Sequence, residues 1–346
     1  MPTTSSDGAS TEPSPHGRFA HLMDGYLVTQ ALYVAAELGI ADRMAGDPRT
    51  AADLAAEAGA DPGALHRVLR LLAAEGIFAE SDDGFGLTPL GDLLRADVPG
   101  SQRGACLARG MLYYAAVGGL LRAVREGGAA FEHVHGQSLF EYLGERPELG
   151  AAFQGSMVAR NTQEAAAVVA AYDFSGYRRL VDVGGGTGVL LTAILTATPG
   201  LHGVLFDRPQ SIEAAQRRLT EAGLAERSDT VGGDFFAEVP AGADAYLLSR
   251  VIHDWNDDDS IRILSTCRRA MGGQGRLLLV EAVLPERAVE QPAAIRMDLH
   301  MLILLHGRER TAVEFADLLG QAGFRITRLV PTASPAGIAV IEAVPA

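Results

Sequence analysis

From Leu180 almost to its end the chain alternates short apolar runs with helical stretches. The runs are Leu180-Val-Asp-Val, Gly203-Val-Leu-Phe, Ala245-Tyr-Leu-Leu, Arg276-Leu-Leu-Leu-Val, Arg325-Ile-Thr-Arg-Leu and Gly337-Ile-Ala-Val-Ile-Glu-Ala. Runs of this length separated by helices form strands covered on both faces. The pattern predicts an α/β domain built on a mostly parallel, doubly wound, Rossmann-like sheet, with its ligand site at the carboxyl ends of the strands.

The first half has a different texture, and at 346 residues the chain has length for two domains. Leu22, Tyr26, Leu27, Ala31 and Val34 recur at three- and four-residue spacing, which predicts one buried helix face. Thr50 precedes a short alanine-rich helix, and Asp61-Pro62 opens a second that runs to Ala74. Two short strands around an Asp-Gly turn follow between Gly76 and Thr88, so residues 18–103 read as a helical module of winged helix-turn-helix type. The expected organisation is a Ser/Pro-rich tail over 1–17, this module, a helical linker over 104–171 and the α/β domain over 172–346.

Charge and composition exclude several functions. Acidic residues outnumber basic ones for a net charge of −14, which disfavours phosphate backbones and anionic membranes. Residues 1–100 hold six arginines against fifteen acidic residues, so the winged helix reads as a dimerisation element rather than a groove reader. No lysine occurs, which removes the GK[ST] phosphate loop, Schiff-base chemistry and SxxK nucleophiles. Cys106 and Cys267 stand alone, giving neither a disulfide framework nor a zinc site, and a cytoplasmic location is expected. No apolar run reaches the roughly 18 residues of a spanning helix.

The first strand of the α/β region leads directly into Asp182-Val-Gly-Gly-Gly-Thr-Gly. Glycines 184, 186 and 188 allow backbone N–H groups to approach a ligand at the start of the next helix. A dinucleotide fingerprint would need glycine where Val189 stands, so NAD and FAD fit poorly. Asp207 ends the second strand, where a carboxylate can accept ribose hydroxyls; Asp234 and Phe235 follow the third, suiting an adenine amino group and ring. Together these predict an adenosine site.

Chemistry points to the next strand end, Ser249-Arg-Val-Ile-His-Asp-Trp. His253 at such a place can serve as a general base, and two carboxylates, Glu281 after the fifth strand and Glu309 ahead of the helix capped by Thr311, can converge on it. Taken singly, His253 reads as a structural histidine, Glu281 as a solvated strand end and Glu309 as part of a surface Arg–Glu run.

These motifs, with Leu205-Phe-Asp-Arg-Pro, Gly233-Asp-Phe-Phe and Gly307-Arg-Glu-Arg-Thr, occur in one order. In that order the chain resembles the S-adenosylmethionine-dependent O-methyltransferases of the caffeate and hydroxyneurate type, over nearly its whole length. The resemblance implies a homodimer whose N-terminal modules interlock and contribute to each other's acceptor pocket. It implies that S-adenosylmethionine, leaving as S-adenosylhomocysteine, is held by Asp182, Gly184, Gly186, Asp207, Asp234, Phe235, Arg250 and Trp255, with Arg250 standing where plant members have lysine. It makes His253 the base, flanked by Glu281 and Glu309, and needs no metal. The acceptor pocket it implies contains Phe153, Met157, Asn161, Asp254, Met297, Asp298, Met301 and Leu305.

The expected reaction is methyl transfer to a phenolic hydroxyl of a small aromatic secondary metabolite. N-methylation, a methyltransferase fold repurposed for hydroxylation or decarboxylation, and a ligand-responsive DNA-binding regulator remain alternatives at this point.

Overall fold

The computed structural model describes residues 14–346, apart from several side chains between 148 and 159. The tail expected over 1–17 lies outside the described residues up to 13, and its remainder is helical. Ser14 caps the helix Pro15–Met23 by accepting the Gly17 N–H at 3.2 Å, with Pro15 at the first position, where a missing N–H costs nothing. The chain divides into two compact units, one ending at Met111 and one beginning at Leu112.

In the first unit the helices Gly25–Glu37, Ala51–Ala58 and Pro62–Ala74 enclose a core of Ala31, Ala35, Leu54, Leu65, Leu69 and Leu72, closed by Phe78 and Phe85. Both expected caps are formed: Thr50 accepts from Asp53 N at 3.1 Å and Asp61 from Ala64 N at 2.7 Å, each worth about 1 kcal/mol. The wing is the antiparallel pair β1 (Phe78–Ser81) and β2 (Gly84–Leu87). Its loop is Asp82-Asp83 rather than an Asp-Gly pair, because Gly84 already pairs with Ser81. Gly84 is needed for another reason: at φ 123° its backbone passes so close to Arg49 that any Cβ would overlap the Arg49 carbonyl.

The first helical stripe departs from expectation. Asp24 breaks it into two helices, and while Ala31 is buried, Leu22 is 68% and Tyr26 53% exposed, with Phe19, Met23 and Leu27 also exposed. The spacing was that of a buried face, but among the described residues nothing in this unit covers its N-terminal half.

The second unit carries the expected sheet. Strands β3 (Arg179–Val183), β4 (His202–Asp207), β5 (Ser228–Gly232), β6 (Ala245–Ser249) and β7 (Arg276–Leu284) are parallel; the two-residue β8 (Arg310–Thr311) adds to β7; β9 (Phe324–Pro331) and β10 (Ile338–Pro345) are antiparallel. The order is β5-β4-β3-β6-β7-β10-β9. Alternate residues feed opposite faces, Val181, Val204, Tyr246 and Leu279 on one, Leu180, Leu205, Leu247 and Leu278 on the other. Because β3 is flanked by β4 on one side and β6 on the other, connections leave in opposite directions there and open a crevice at the strand ends. Among the described residues no single helix is long and apolar enough to cross a membrane.

Candidate active site

The crevice begins at the glycine turn. Gly184, Gly186 and Gly188 all adopt positive φ (73°, 57° and 76°), which bends the chain sharply between β3 and the helix Val189–Ala197. Gly185 is required sterically, since a Cβ there would meet the Asp182 carboxylate at 2.6 Å. Asp207, at the end of β4, accepts the Gly186 N–H at 2.8 Å and so ties the turn to the second strand.

Two adjoining cavities open from this turn. One, of about 760 Å³, is bordered by Asp207, Asp234, Phe235 and Trp255, with Phe235 and Trp255 edge to face at 6.0 Å. Asp234 uses one oxygen to accept Phe236 N–H at 2.9 Å. The other, of about 220 Å³, is bordered by Asp182, Gly184, Gly186, Arg250, His253 and Asp254, and also by Phe153, Met157, Asn161, Met297, Met301 and Leu305. Gly184, Arg250 and Asp254 border both.

Asp298 is the one expected pocket residue that does not line either cavity. On the helix Pro292–Leu304, Met297 and Met301 lie four residues apart and share the cavity face, whereas Asp298 is turned a further 100°. Its carboxylate instead accepts the Glu309 N–H at 2.9 Å.

The ionisable residues converge as well. His253, on the single turn Ile252–Asp254, is buried; its Nδ1 lies 2.9 Å from Glu309 Oε1 and its Nε2 3.2 Å from Asp254 Oδ1. Glu281 is not a solvated strand end: it is fully buried and accepts the Val251 and Ile252 N–H groups at 3.1 and 2.9 Å, holding the backbone just ahead of His253. Arg250, among the described residues the one non-glycine with positive φ (55°), turns its guanidinium to Glu309 at 3.2 Å and Glu281 at 4.0 Å. Burial pushes the Glu281 carboxyl up to about 7, despite His253 and Arg250. Burial and Arg250 both lower the His253 pKa, but Asp254 and Glu309 outweigh them and leave it above its ordinary value. His253, Glu281 and Glu309 present donor atoms within 4.8 Å of one another, a spacing a cation can use, yet Arg250 already supplies positive charge there.

Residues 118–325 match the model of the O-methyltransferase domain, and residues 20–97 that of the O-methyltransferase dimerisation domain. The chain belongs to the O-methyltransferase family. Its relatives include the phenazine O-methyltransferase PhzM of Lysobacter antibioticus, 48% identical over 94% of each chain. The O-demethylpuromycin-O-methyltransferase of Streptomyces alboniger is 41% identical over 95% of this chain and 89% of its own. A phenazine-1-carboxylate N-methyltransferase of Pseudomonas aeruginosa is 38% identical over 89% and 92%. The crystal structure of LaPhzM superposes with a TM-score of 0.90 at 47% identity, covering 96% of this chain and all of that one. An O-methyltransferase of neocarzinostatin biosynthesis, crystallised with S-adenosylmethionine and 2-hydroxy-5-methyl naphthoic acid, gives 0.82 at 36% identity over 92% and 96%.

The protein is therefore an S-adenosylmethionine-dependent methyltransferase of secondary metabolism, with a class I methyltransferase domain behind a dimerisation domain. This methyltransferase carries cavity-lining groups that sequence reasoning missed. Arg160 and Glu164 project from the helix Pro147–Ala171 into the smaller cavity beside Asn161. Arg160 Nε and Glu164 Oε1 face each other as an ion pair at 3.8 Å, and among the described residues neither these atoms nor Asn161 Oδ1 and Asp182 Oδ1 have a hydrogen-bond partner. Such atoms are costly unless a ligand meets them, and their grouping beside the glycine turn fits a zwitterionic amino-acid moiety. Burial and the nearby Asp207 charge raise Asp182 to about 7, so a bound ammonium would favour its ionised form.

Proposed function

We propose that this methyltransferase methylates a phenolic hydroxyl of a small aromatic secondary metabolite, with His253 as general base. The observation that carries the reading is that His253, oriented by Glu309, opens onto the same cavity as the glycine turn and the apolar side chains Phe153, Met157, Met297 and Met301.

In this reading Asp207 accepts the ribose hydroxyls, while Asp234, Phe235 and Trp255 enclose the adenine. Asp182, Glu164 and the turn backbone hold the amino-acid part, and Arg160 and Asn161 face it. S-adenosylmethionine, when bound, supplies a methyl group already activated by its sulfonium. What remains for the protein is to align the acceptor oxygen, exclude water and accept a proton. A phenol of pKa about 10 is mostly protonated at neutral pH, so a neutral imidazole nearby assists the attack. Glu309 on Nδ1 fixes the tautomer that leaves Nε2 able to accept, with the Asp254 carboxylate, which lines the same cavity, giving way to the acceptor. Glu281 and Arg250 sit behind the ring, one holding its backbone and the other balancing the carboxylates.

A second reading, methylation of a ring nitrogen, is favoured by one relative, the phenazine-1-carboxylate N-methyltransferase. An unprotonated ring nitrogen has no proton to lose, so His253→Ala separates the two readings. Assaying wild type and His253→Ala against hydroxylated and aza-aromatic acceptors, with S-adenosylhomocysteine release and product mass as readouts, tests the proposal. Phenol turnover that survives the substitution undiminished would sink it.

The exposed stripe of Leu22, Tyr26 and Leu27 supports a homodimer joined through the N-terminal unit.

A further inference from the structure

Arg310 is fully buried, although the sequence places it in an Arg–Glu run. Its guanidinium donates to Ile252 O at 3.1 Å and Trp255 O at 3.0 Å, the carbonyls on either side of His253. It also donates twice to Asp257 Oδ1, at 3.0 and 2.7 Å, and to Ser260 Oγ at 3.3 Å. These contacts matter because the turn Ile252–Asp254 is a single 3-10 turn, too short to fix its own direction, and its buried carbonyls need donors. Only a planar, permanently charged fork can serve two carbonyls and a carboxylate at once.

We propose that Arg310 is a positioning residue for His253: it holds both ends of the imidazole-bearing turn, while the preceding residue, Glu309, holds the ring. One dipeptide at β8 thereby sets backbone and side chain together. The effect on turnover rests on the reading of His253 as base; the placement of the ring does not. Arg250, Asp254, Glu281 and Glu309 are the charged groups facing the imidazole, and the test leaves all four intact.

The test uses the full-length protein with 13Cε1-labelled histidine, the His253 signal being assigned by its loss in His253→Asn. In Arg310→Lys the ring loses its fixed approach to Glu309, so the His253 titration moves down towards the ordinary value. kcat falls roughly tenfold or more, as for a misplacement of about 1 Å. KM for S-adenosylmethionine changes far less than kcat. Asp257→Ala, at a half-exposed partner of Arg310, gives the same shift at smaller amplitude and decides the matter if Arg310→Lys does not fold. An unmoved His253 titration in a folded variant overturns the proposal. Because that titration needs no turnover, it stays decisive even if His253 proves not to be the base.

Discussion

Gly307 lies directly beneath His253, so close that a Cβ at 307 would overlap the His253 carbonyl oxygen and the Asp254 backbone. The segment that delivers Glu309 can reach the imidazole only because it passes there without a side chain. Gly307→Ala must therefore push the two segments apart. The expected result is a loss of about 1–3 kcal/mol in urea denaturation, as for other overpacked sites. kcat should fall while S-adenosylhomocysteine affinity, measured by calorimetry, stays near that of the wild type. Unaltered kcat in Gly307→Ala would show that the approach is slack.

The pH dependence follows from the groups around the ring. A base must be neutral to accept a proton, and the His253 pKa lies above its ordinary 6.5 because Asp254 and Glu309 outweigh burial and Arg250. kcat/KM for a phenolic acceptor should accordingly rise with pH and reach half its plateau above 6.5. Glu309→Gln removes a raising influence and leaves Arg250, so the midpoint should move to lower pH, with a reduced plateau as the tautomer is less well fixed. His253→Ala should abolish this acid limb and lower the plateau about a hundredfold. An acid limb that persists in His253→Ala would assign it to another group.

Asp207 joins cofactor and turn. It accepts Gly186 N–H and stands where ribose hydroxyls are expected, so Asp207→Ala removes ligand contacts and loosens the cradle together. Hydrogen bonds to a charged group are worth about 1.5–3 kcal/mol, which corresponds to a tenfold to hundredfold weaker Kd for S-adenosylhomocysteine. Calorimetry on both proteins measures it directly, and equal Kd values would remove Asp207 from the site.

Legibility in the sequence tracked locality. The glycine turn, Asp207 and His253 each sit at or just beyond the end of an apolar strand, where chain direction alone tells which end faces the ligand; Asp234 and Phe235 follow the more polar edge strand β5 and were placed by their Gly-Asp-Phe-Phe motif. Arg160 and Glu164 escaped because an alanine-rich helix reads as bland core; the trace they left was a basic, an amide and an acidic residue at positions i, i+1 and i+4. Arg310 was hidden by its neighbours, since Arg308 pairs with Glu314 at the surface from the irregular segment ahead of β8, while Arg310, the first residue of β8, is fully buried. The resemblance placed Asp298 among the pocket residues, but nothing local in the sequence pointed to its carboxylate's partner, the backbone N–H of Glu309 eleven residues away. The stripe at Leu22 and Tyr26 was read correctly as apolar, yet periodicity does not say whether its cover comes from the same chain.

That stripe gives the last prediction. Leu22 and Tyr26 are more than half exposed, and Phe19, Met23 and Leu27 extend the same surface. Fully burying one such side chain contributes about 1.5–3 kcal/mol, so a few of them on each of two copies can hold a dimer together. Wild type should sediment as a dimer. Leu22→Glu combined with Leu27→Glu should shift it to monomer, because each charge would have to be buried unpaired at the interface. The α/β unit does not depend on these side chains for its core, so S-adenosylhomocysteine binding should survive in the monomer. A wild-type protein that sediments as a monomer, or a variant that remains dimeric, would mean that another surface joins the copies.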